Sequence, residues 1–244
     1  MLSNKHILIT GGSGTLGAAL VNAALAKNAQ VYFTVAAHRE KAAALTAAGA
    51  HAFPCDFSHP EETSSFITKI KNAVPRLDAV IFNAAAVRDH VITNMSPAEW
   101  NHVLSVDFLS IQRMAYSLRP LLEHARTAAI PSKIITVISR VGLRGAFGQA
   151  NYAAAKDALI EFTRYLAVDY GPYNIAVNAV NPGFMLSGMT DFLSAAVRQS
   201  HKEQSILRRY SDPHEVAEFM LFLCSDACTQ VSGQVFHYES RLTE

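Results

Sequence analysis

Tyr152 and Lys156 stand four residues apart, so on a helix they share a face one turn from each other. A free phenol ionises near pH ~10 and moves protons poorly at neutral pH. An ammonium held beside it favours the phenolate and pulls that value down. Ser139 lies thirteen residues before Tyr152 and follows the apolar run 134–138, a buried strand by its pattern. Its hydroxyl there can hydrogen-bond a carbonyl oxygen. Together the three make an acid/base centre for interconverting a carbonyl and an alcohol. A Tyr-x-x-x-Lys pair by itself also occurs on ordinary solvated helices, so its weight depends on what accompanies it.

What accompanies it is Thr10-Gly11-Gly12-Ser13-Gly14-Thr15-Leu16-Gly17, which contains Gly12-x-Gly14-x-x-Gly17. Glycines there permit a tight turn, close approach of a pyrophosphate, and close packing of helix on strand. The helix N-terminus adds free N–H groups and a positive dipole end. The motif alone is weak; between a first strand and a first helix it marks a dinucleotide site. The second strand ends Val35-Ala36-Ala37-His38-Arg39, with no acid before Glu40. An acid would hold the ribose 2′-hydroxyl of NAD, whereas Arg39, with His38 beside it, suits the 2′-phosphate of NADP. NADP(H) is therefore expected over NAD(H).

The elements that must position these groups alternate along the chain. Apolar strands are expected at 6–10, 31–35, 52–56, 79–82, 134–138, 175–180 and 235–238. Helices are expected at 16–27, 39–48, 61–73 with Ser58 as a cap, 97–123, 151–169 and from Pro213 to about Cys224. Ser96-Pro97-Ala98-Glu99 is a capping box with Pro at the first helical position. Apolar strands separated by helices indicate a parallel sheet covered on both faces. The expected fold is α/β: one doubly wound Rossmann-type domain over residues 1–244, with a central parallel sheet of about seven strands. The irregular stretch 184–210 is a candidate lid over a site, since loops of that length are usually functional or disordered.

Composition bounds the partners. Lys and Arg number 21 against 20 Asp and Glu, a net charge of +1 with 17% charged residues. That balance lacks the footprint of a nucleic-acid binder. Half of the residues are hydrophobic, enough for a large core. Cys55, Cys224 and Cys228 are too few for a disulfide scaffold and lack metal-ligand spacing, so no metal is expected. Residues 1–5 lead straight into a strand without an apolar signal region, and no apolar run spans a membrane. A cytoplasmic location is expected.

With these motifs in place, the chain resembles the short-chain dehydrogenase/reductase family over almost its full length. The resemblance is carried by the glycine turn; Asp56; Asp78-Ala-Val-Ile-Phe-Asn83-Ala-Ala; Ser139-x-x-Gly142; Tyr152-x-x-x-Lys156; Asn181-Pro182-Gly183; Ser211-Asp212-Pro213-His-Glu-Val-Ala; and Ser232-Gly233-Gln234. Gly148-Gln-Ala-Asn-Tyr-Ala-Ala-Ala-Lys156 is most similar to the 3-oxoacyl-[acyl-carrier-protein] reductases. The resemblance implies that Tyr152 is the general acid, that Ser139 positions the carbonyl oxygen, and that Lys156 binds the nicotinamide ribose. It implies a cofactor set of Gly11, Ser13, Gly14, Thr15, Leu16, Gly17, His38, Arg39, Asp56 against adenine, Phe57, Asn83, Ala84, Ala85, Tyr152, Lys156, Pro182, Gly183 and Ser187. Hydride chemistry belongs to the cofactor.

Four positions depart from the family pattern. Gly14 precedes the usual middle glycine place, held here by Thr15. The fourth catalytic position, usually Asn, is Asp107, which when ionised accepts hydrogen bonds but donates none. A water-linked proton relay to Lys156 is thereby put in question. Ser187 stands for the usual Thr after Pro-Gly, and Glu239-Ser-Arg241 for the usual Asp-Gly-Gly.

Phe184, Met185, Leu186, Met189, Phe192 and Leu193 give the lid an apolar cluster suited to an acyl chain or a ring. Arg208, Arg209, Arg126 and Lys133 are candidates for docking an acidic acyl carrier protein or a phosphopantetheine phosphate, although Tyr173 and Asn174 occupy a second expected docking position. The leading expectation is NADPH-dependent reduction of a 3-oxoacyl thioester, linked to acyl carrier protein or CoA. Reduction or oxidation of another carbonyl or alcohol (polyketide, quinone or steroid-like) remains open, as does a nucleotide-binding partner subunit with little turnover. By resemblance the chain forms a homo-oligomer, tetramer or dimer, or a hetero-oligomer, through the helices near 97–123 and 151–169. Ala153, Ala154, Ala155 and Ala158 would allow close packing there.

Overall fold

A computed structural model describes residues 2–125, 127 and 129–241. The strands are β1 (His6–Ile9), β2 (Gln30–Val35), β3 (His51–Pro54), β4 (Ala79–Phe82), β5 (Ser132–Val137), β6 (Ile175–Asn181) and β7 (Val235–His237). The helices are α1 (Thr15–Ala26), α2 (Arg39–Ala47), α3 (Pro60–Ala73), α4 (Pro97–Leu104), α5 (Ser110–Ala125), α6 (Arg140–Arg144), α7 (Ala150–Tyr170), α8 (Ala195–Gln204) and α9 (Pro213–Leu223). The seven strands form one parallel sheet in the order β3-β2-β1-β4-β5-β6-β7.

Successive side chains of a strand point to opposite faces, and here both faces are apolar. Ile7 and Ile9 join Val31 and Phe33 beneath α1 and α9. Leu8 instead joins Tyr32, Val80 and Phe82 beneath α3, α5 and α7. The sheet is thus buried on both sides, which explains why its strands read as continuous apolar runs. β1 pairs with β2 on one side and β4 on the other, so the chain reverses its winding direction at β1. Open α/β sheets bind ligands in the crevice at the carboxyl ends of the strands where that reversal occurs.

Two local expectations need correction. Ser58 does not cap α3: its N–H and hydroxyl both go to Asp56 Oδ1, at 2.9 and 2.7 Å, and His59 takes the cap position without a side-chain bond. The helix after the capping box is not continuous to Glu123. The box itself forms, but a π-helical turn, Ser105–Leu109, separates α4 from α5. Such a turn inserts an extra residue and re-aims its side chains, a feature frequent at functional sites. The short α6 after β5 has no counterpart in the sequence reading, since five residues are too few to show helical periodicity.

Candidate active site

The glycine turn sits at the carboxyl end of β1. Gly11 N–H donates to Thr34 Oγ1 at 2.9 Å, and Gly12 N–H to the Thr34 carbonyl at 3.0 Å. The Ser13 hydroxyl donates to the Ala37 carbonyl at 3.0 Å, tying the turn to the end of β2. A Cβ on Gly17 would come within 2.1 Å of the Gly11 carbonyl oxygen, so only glycine lets α1 start this close to the turn. α1 begins at Gly14 with no side-chain cap and no acid in its first turn. Its first N–H groups and its positive end therefore remain available to a pyrophosphate.

The remaining nucleotide-side residues gather around this turn. Asn83 Nδ2 donates to the Thr10 and Gly11 carbonyls at 3.0 and 3.2 Å, and the N–H groups of Asn83 and Ala84 both donate to Thr10 Oγ1. That stitches Asn83, Ala84 and Ala85, after β4, to the end of β1. His38 is left-handed (φ 57°) at the start of α2, and it and Arg39 are exposed. Asp56 follows β3. Burial pushes its carboxyl up, but the Ser58 hydrogen bonds with His59 and His102 outweigh this and hold it below the usual value. Leu16 and Phe57 send their side chains into the two cores, Phe57 edge-on to Phe66. Pro182 and Gly183 follow β6, where Gly183 takes a φ of 77° and its N–H donates to Asn181 Oδ1. The Ser187 backbone donates to Thr190 Oγ1 at 2.9 Å.

The acid/base group assembles from three elements. Ser139 ends β5's run and caps α6, its Oγ accepting from Val141 N–H at 3.2 Å. A Cβ on Gly142 would lie 2.7 Å from the Lys156 backbone carbon, so this glycine lets α6 lie against α7. This sets the Ser139 hydroxyl close enough to the Tyr152 phenol to favour its ionised form. Lys156 Nζ is buried 5.4 Å from the Tyr152 ring centroid and donates to the Val137 carbonyl at 3.1 Å.

Asp107 is the departure with structural consequence. The π-helical turn aims it inward, where Oδ1 accepts from Ala86 N–H at 2.7 Å and Oδ2 lies 3.1 Å from Lys156 Nζ. The side chains of Lys156 and Asp107 are 2% and 0% exposed. Where sequence left open how Lys156 is reached without an Asn, the structure has a direct ion pair. Burial pulls the Lys156 ammonium down, but Asp107 and then Tyr152 outweigh it and raise its pKa above the ordinary value. Burial raises Asp107 despite Lys156. Lys156 lowers the Tyr152 phenol as expected, but it does not act alone. Burial raises the phenol, Lys156 lowers it, Asp107 raises it again, and the sum lies above the ordinary value.

Sequence reasoning missed two features. Asp89 faces Tyr152 electrostatically, and its Oδ2 accepts from Gln149 Nε2 at 2.7 Å. Its only sequence signal is an acid shortly after the Asn83 strand end. The second is a cavity of about 240 Å³ bordered by Phe184, His201, Arg209, Tyr210, Tyr238 and Arg241. None of Ser139, Tyr152 and Lys156 lines it. Beside it the altered C-terminal turn is built on Glu239, which accepts from Asn181 Nδ2 at 2.6 Å and pairs with Arg241.

The basic docking set does not hold together. Lys133 is 1% exposed within β5, where its Nζ donates to the Cys228 carbonyl, so it cannot meet a partner. Burial pulls its pKa down. Arg126 lies outside the described residues. Arg208 and Arg209 are exposed, Arg208 donating to the Glu203 carbonyl at 2.7 Å. Among the described residues no group of three or more His, Cys, Asp or Glu is placed to hold a metal ion. Among them also, no helix is long and apolar enough to cross a membrane.

A family model described as enoyl-(acyl carrier protein) reductase matches residues 12–240. The 3-oxoacyl-[acyl-carrier-protein] reductase FabG of Aquifex aeolicus (strain VF5) is 34% identical, over 97% of this chain and 96% of that protein. The protein of the same name from Escherichia coli (strain K12) is 31% identical, over 96% and 95%. Nodulation protein G of Rhizobium sp. (strain N33) is 31% identical, over 99% and 98%. Among solved structures, the Pseudomonas aeruginosa RhlG/NADP active-site complex has the same fold, with a TM-score of 0.90 at 24% identity over 98% of this chain and 96% of that one.

Proposed function

The chain belongs to the short-chain dehydrogenase/reductase family, and from that premise we propose that it reduces the 3-oxo group of an acyl thioester, linked to acyl carrier protein or CoA, with NADPH. Family membership makes it a nicotinamide-dependent oxidoreductase. The observation that carries the finer reading is the grouping of Ser139 and Tyr152 with a buried Lys156, whose Nζ lies 5.4 Å from the Tyr152 ring centroid.

The nicotinamide cofactor, when bound, supplies a hydride to the carbonyl carbon. The residues present fit it: α1 offers an uncapped N-terminus behind a turn that only glycine can make. In this reading Arg39 and His38 hold the 2′-phosphate, and Asp56, Asn83–Ala85 and Pro182–Gly183 border adenine, ribose and nicotinamide. Tyr152 gives its phenolic proton to the substrate oxygen as negative charge develops there. Ser139 holds that oxygen in line by a second hydrogen bond. Lys156, its charge shared with Asp107, lies against the ring that carries the phenolate left behind.

The segment 184–210 acts as the substrate lid within a single domain, residues 1–244. Its exposed Leu186, Met189 and Phe192 suit an acyl chain. Tyr116, Tyr165 and Val168 are exposed on α5 and α7, and a homo-oligomer would cover them. The enzyme would work in the cytoplasm, where buried Cys55, Cys224 and Cys228 remain thiols. The test is NADPH consumption across 3-oxoacyl thioesters, quinones and cyclic ketones. Preference for the thioesters supports the reading. Turnover confined to the other carbonyls, or NADPH binding without any turnover, rejects it.

A further inference from the structure

Asp107 is a fully buried carboxylate, and such a group is tolerated only when paired and hydrogen-bonded. Oδ1 has the Ala86 N–H. Oδ2 has no well-aligned hydrogen bond among the described residues and rests on the Lys156 charge 3.1 Å away. Lys156 is held equally firmly, between Asp107, the Val137 carbonyl and the Tyr152 ring. The charged and titratable groups facing Tyr152 come from three elements: Lys156 on α7, Asp107 on the π-helical turn and Asp89 after β4. The Ser139 hydroxyl on the cap of α6 also favours the ionised ring.

A lone ammonium beside a phenol favours the phenolate. An ammonium already neutralised by a carboxylate does so far less, because the fields of the two charges largely cancel at the ring. We propose that Asp107 is a positioning residue that holds Lys156 as one half of an ion pair, and thereby keeps Tyr152 a phenol that gives a proton to a carbonyl rather than a phenolate that takes one from an alcohol. The inference rests on the assignment of Tyr152 as proton donor. In reduction the Tyr152 O–H bond breaks and its proton forms the new O–H bond of the substrate. The carbonyl carbon receives the hydride of a reduced nicotinamide, and the phenolate regains a proton from solvent. The reverse reaction needs the phenolate first, which this pair makes scarce.

The experiment is an ultraviolet titration of the tyrosines in the enzyme without substrate, with Tyr152→Phe marking the Tyr152 contribution. Asp107→Asn keeps the shape and the acceptor for Ala86 and removes only the charge. The Tyr152 midpoint should fall by about 1 pH unit, at the low end of what a neighbouring charge produces. Asp89→Asn should lower it less. A midpoint that stays or rises in Asp107→Asn, or that moves more in Asp89→Asn, overturns the proposal. If Asp107→Asn does not fold, the unaltered enzyme decides: alcohol oxidation should climb tenfold per pH unit without levelling below about pH 10, the ordinary tyrosine value. A plateau near neutrality overturns it. Because the titration needs no substrate, full turnover by Tyr152→Phe would reject the proton-donor reading separately from the charge coupling.

Discussion

Lys156 and Asp107 face each other 3.1 Å apart at 2% and 0% exposure, whereas in the segment 184–210 Phe192 is 64% exposed and Ile206 61%. The first pair is set by the end of β5, by α7 and by the π-helical turn, all anchored in the core beneath α5 and α7. The second segment touches the cores mainly through Met185, and its own order rests on local bonds such as Thr190 to the Met185 and Ser187 carbonyls. Proton transfer needs atoms held to fractions of an ångström, which packed elements provide. A segment with few core contacts can change shape and sequence at little cost to the fold. On the proposed function, chemistry belongs to the packed side and selectivity to the loose one.

Four substitutions test that division, in order of expected effect. Tyr152→Phe should lower kcat by about 10²–10⁴-fold, the usual worth of a positioned acid, with NADPH affinity unchanged by fluorescence titration. A small loss would remove the chemistry from the packed side. Gly17→Ala forces a Cβ to 2.1 Å from the Gly11 carbonyl oxygen. Urea unfolding should show a loss of about 1–3 kcal/mol, together with weaker NADPH binding. Wild-type stability would mean that the turn is as adaptable as the lid. Arg39→Ala should cut kcat/KM with NADPH about tenfold, or about 1.4 kcal/mol, while leaving NADH values in place. An equal fall with both cofactors would deny Arg39 the 2′-phosphate. Phe192→Ser should change stability by no more than about 0.5 kcal/mol, being exposed, while raising KM for long acyl chains several-fold. An unchanged KM would take selectivity away from the lid.

Much of the packed side was legible in sequence. The alternation of apolar runs and amphipathic stretches predicts the doubly wound sheet, since burial on both faces leaves continuous apolar strands. Tyr152-x-x-x-Lys156 and the glycine turn are local patterns whose geometry follows from one helix or one strand–turn–helix unit. The misses share a cause. The π-helical turn at Ser105–Leu109 has no composition of its own, and the five residues of α6 are too short for a period. Lys133 reads as a surface cation because Lys is almost never buried, yet β5 is an interior strand, paired on both sides, and carries it inside.

Sequence alone determined the order of the strands and the dinucleotide turn, and it marked Ser139, Tyr152 and Lys156 as candidates, because each rests on patterns between near neighbours in the chain. Tertiary structure decided which charges surround those residues. Asp107 and Lys156 are 49 positions apart, and only the inward turn of one helix against another brings them to 3.1 Å. The net direction of the Tyr152 shift follows from that approach and from burial. Electrostatic coupling depends on distance and surroundings, neither of which is written in the spacing of residues along a chain.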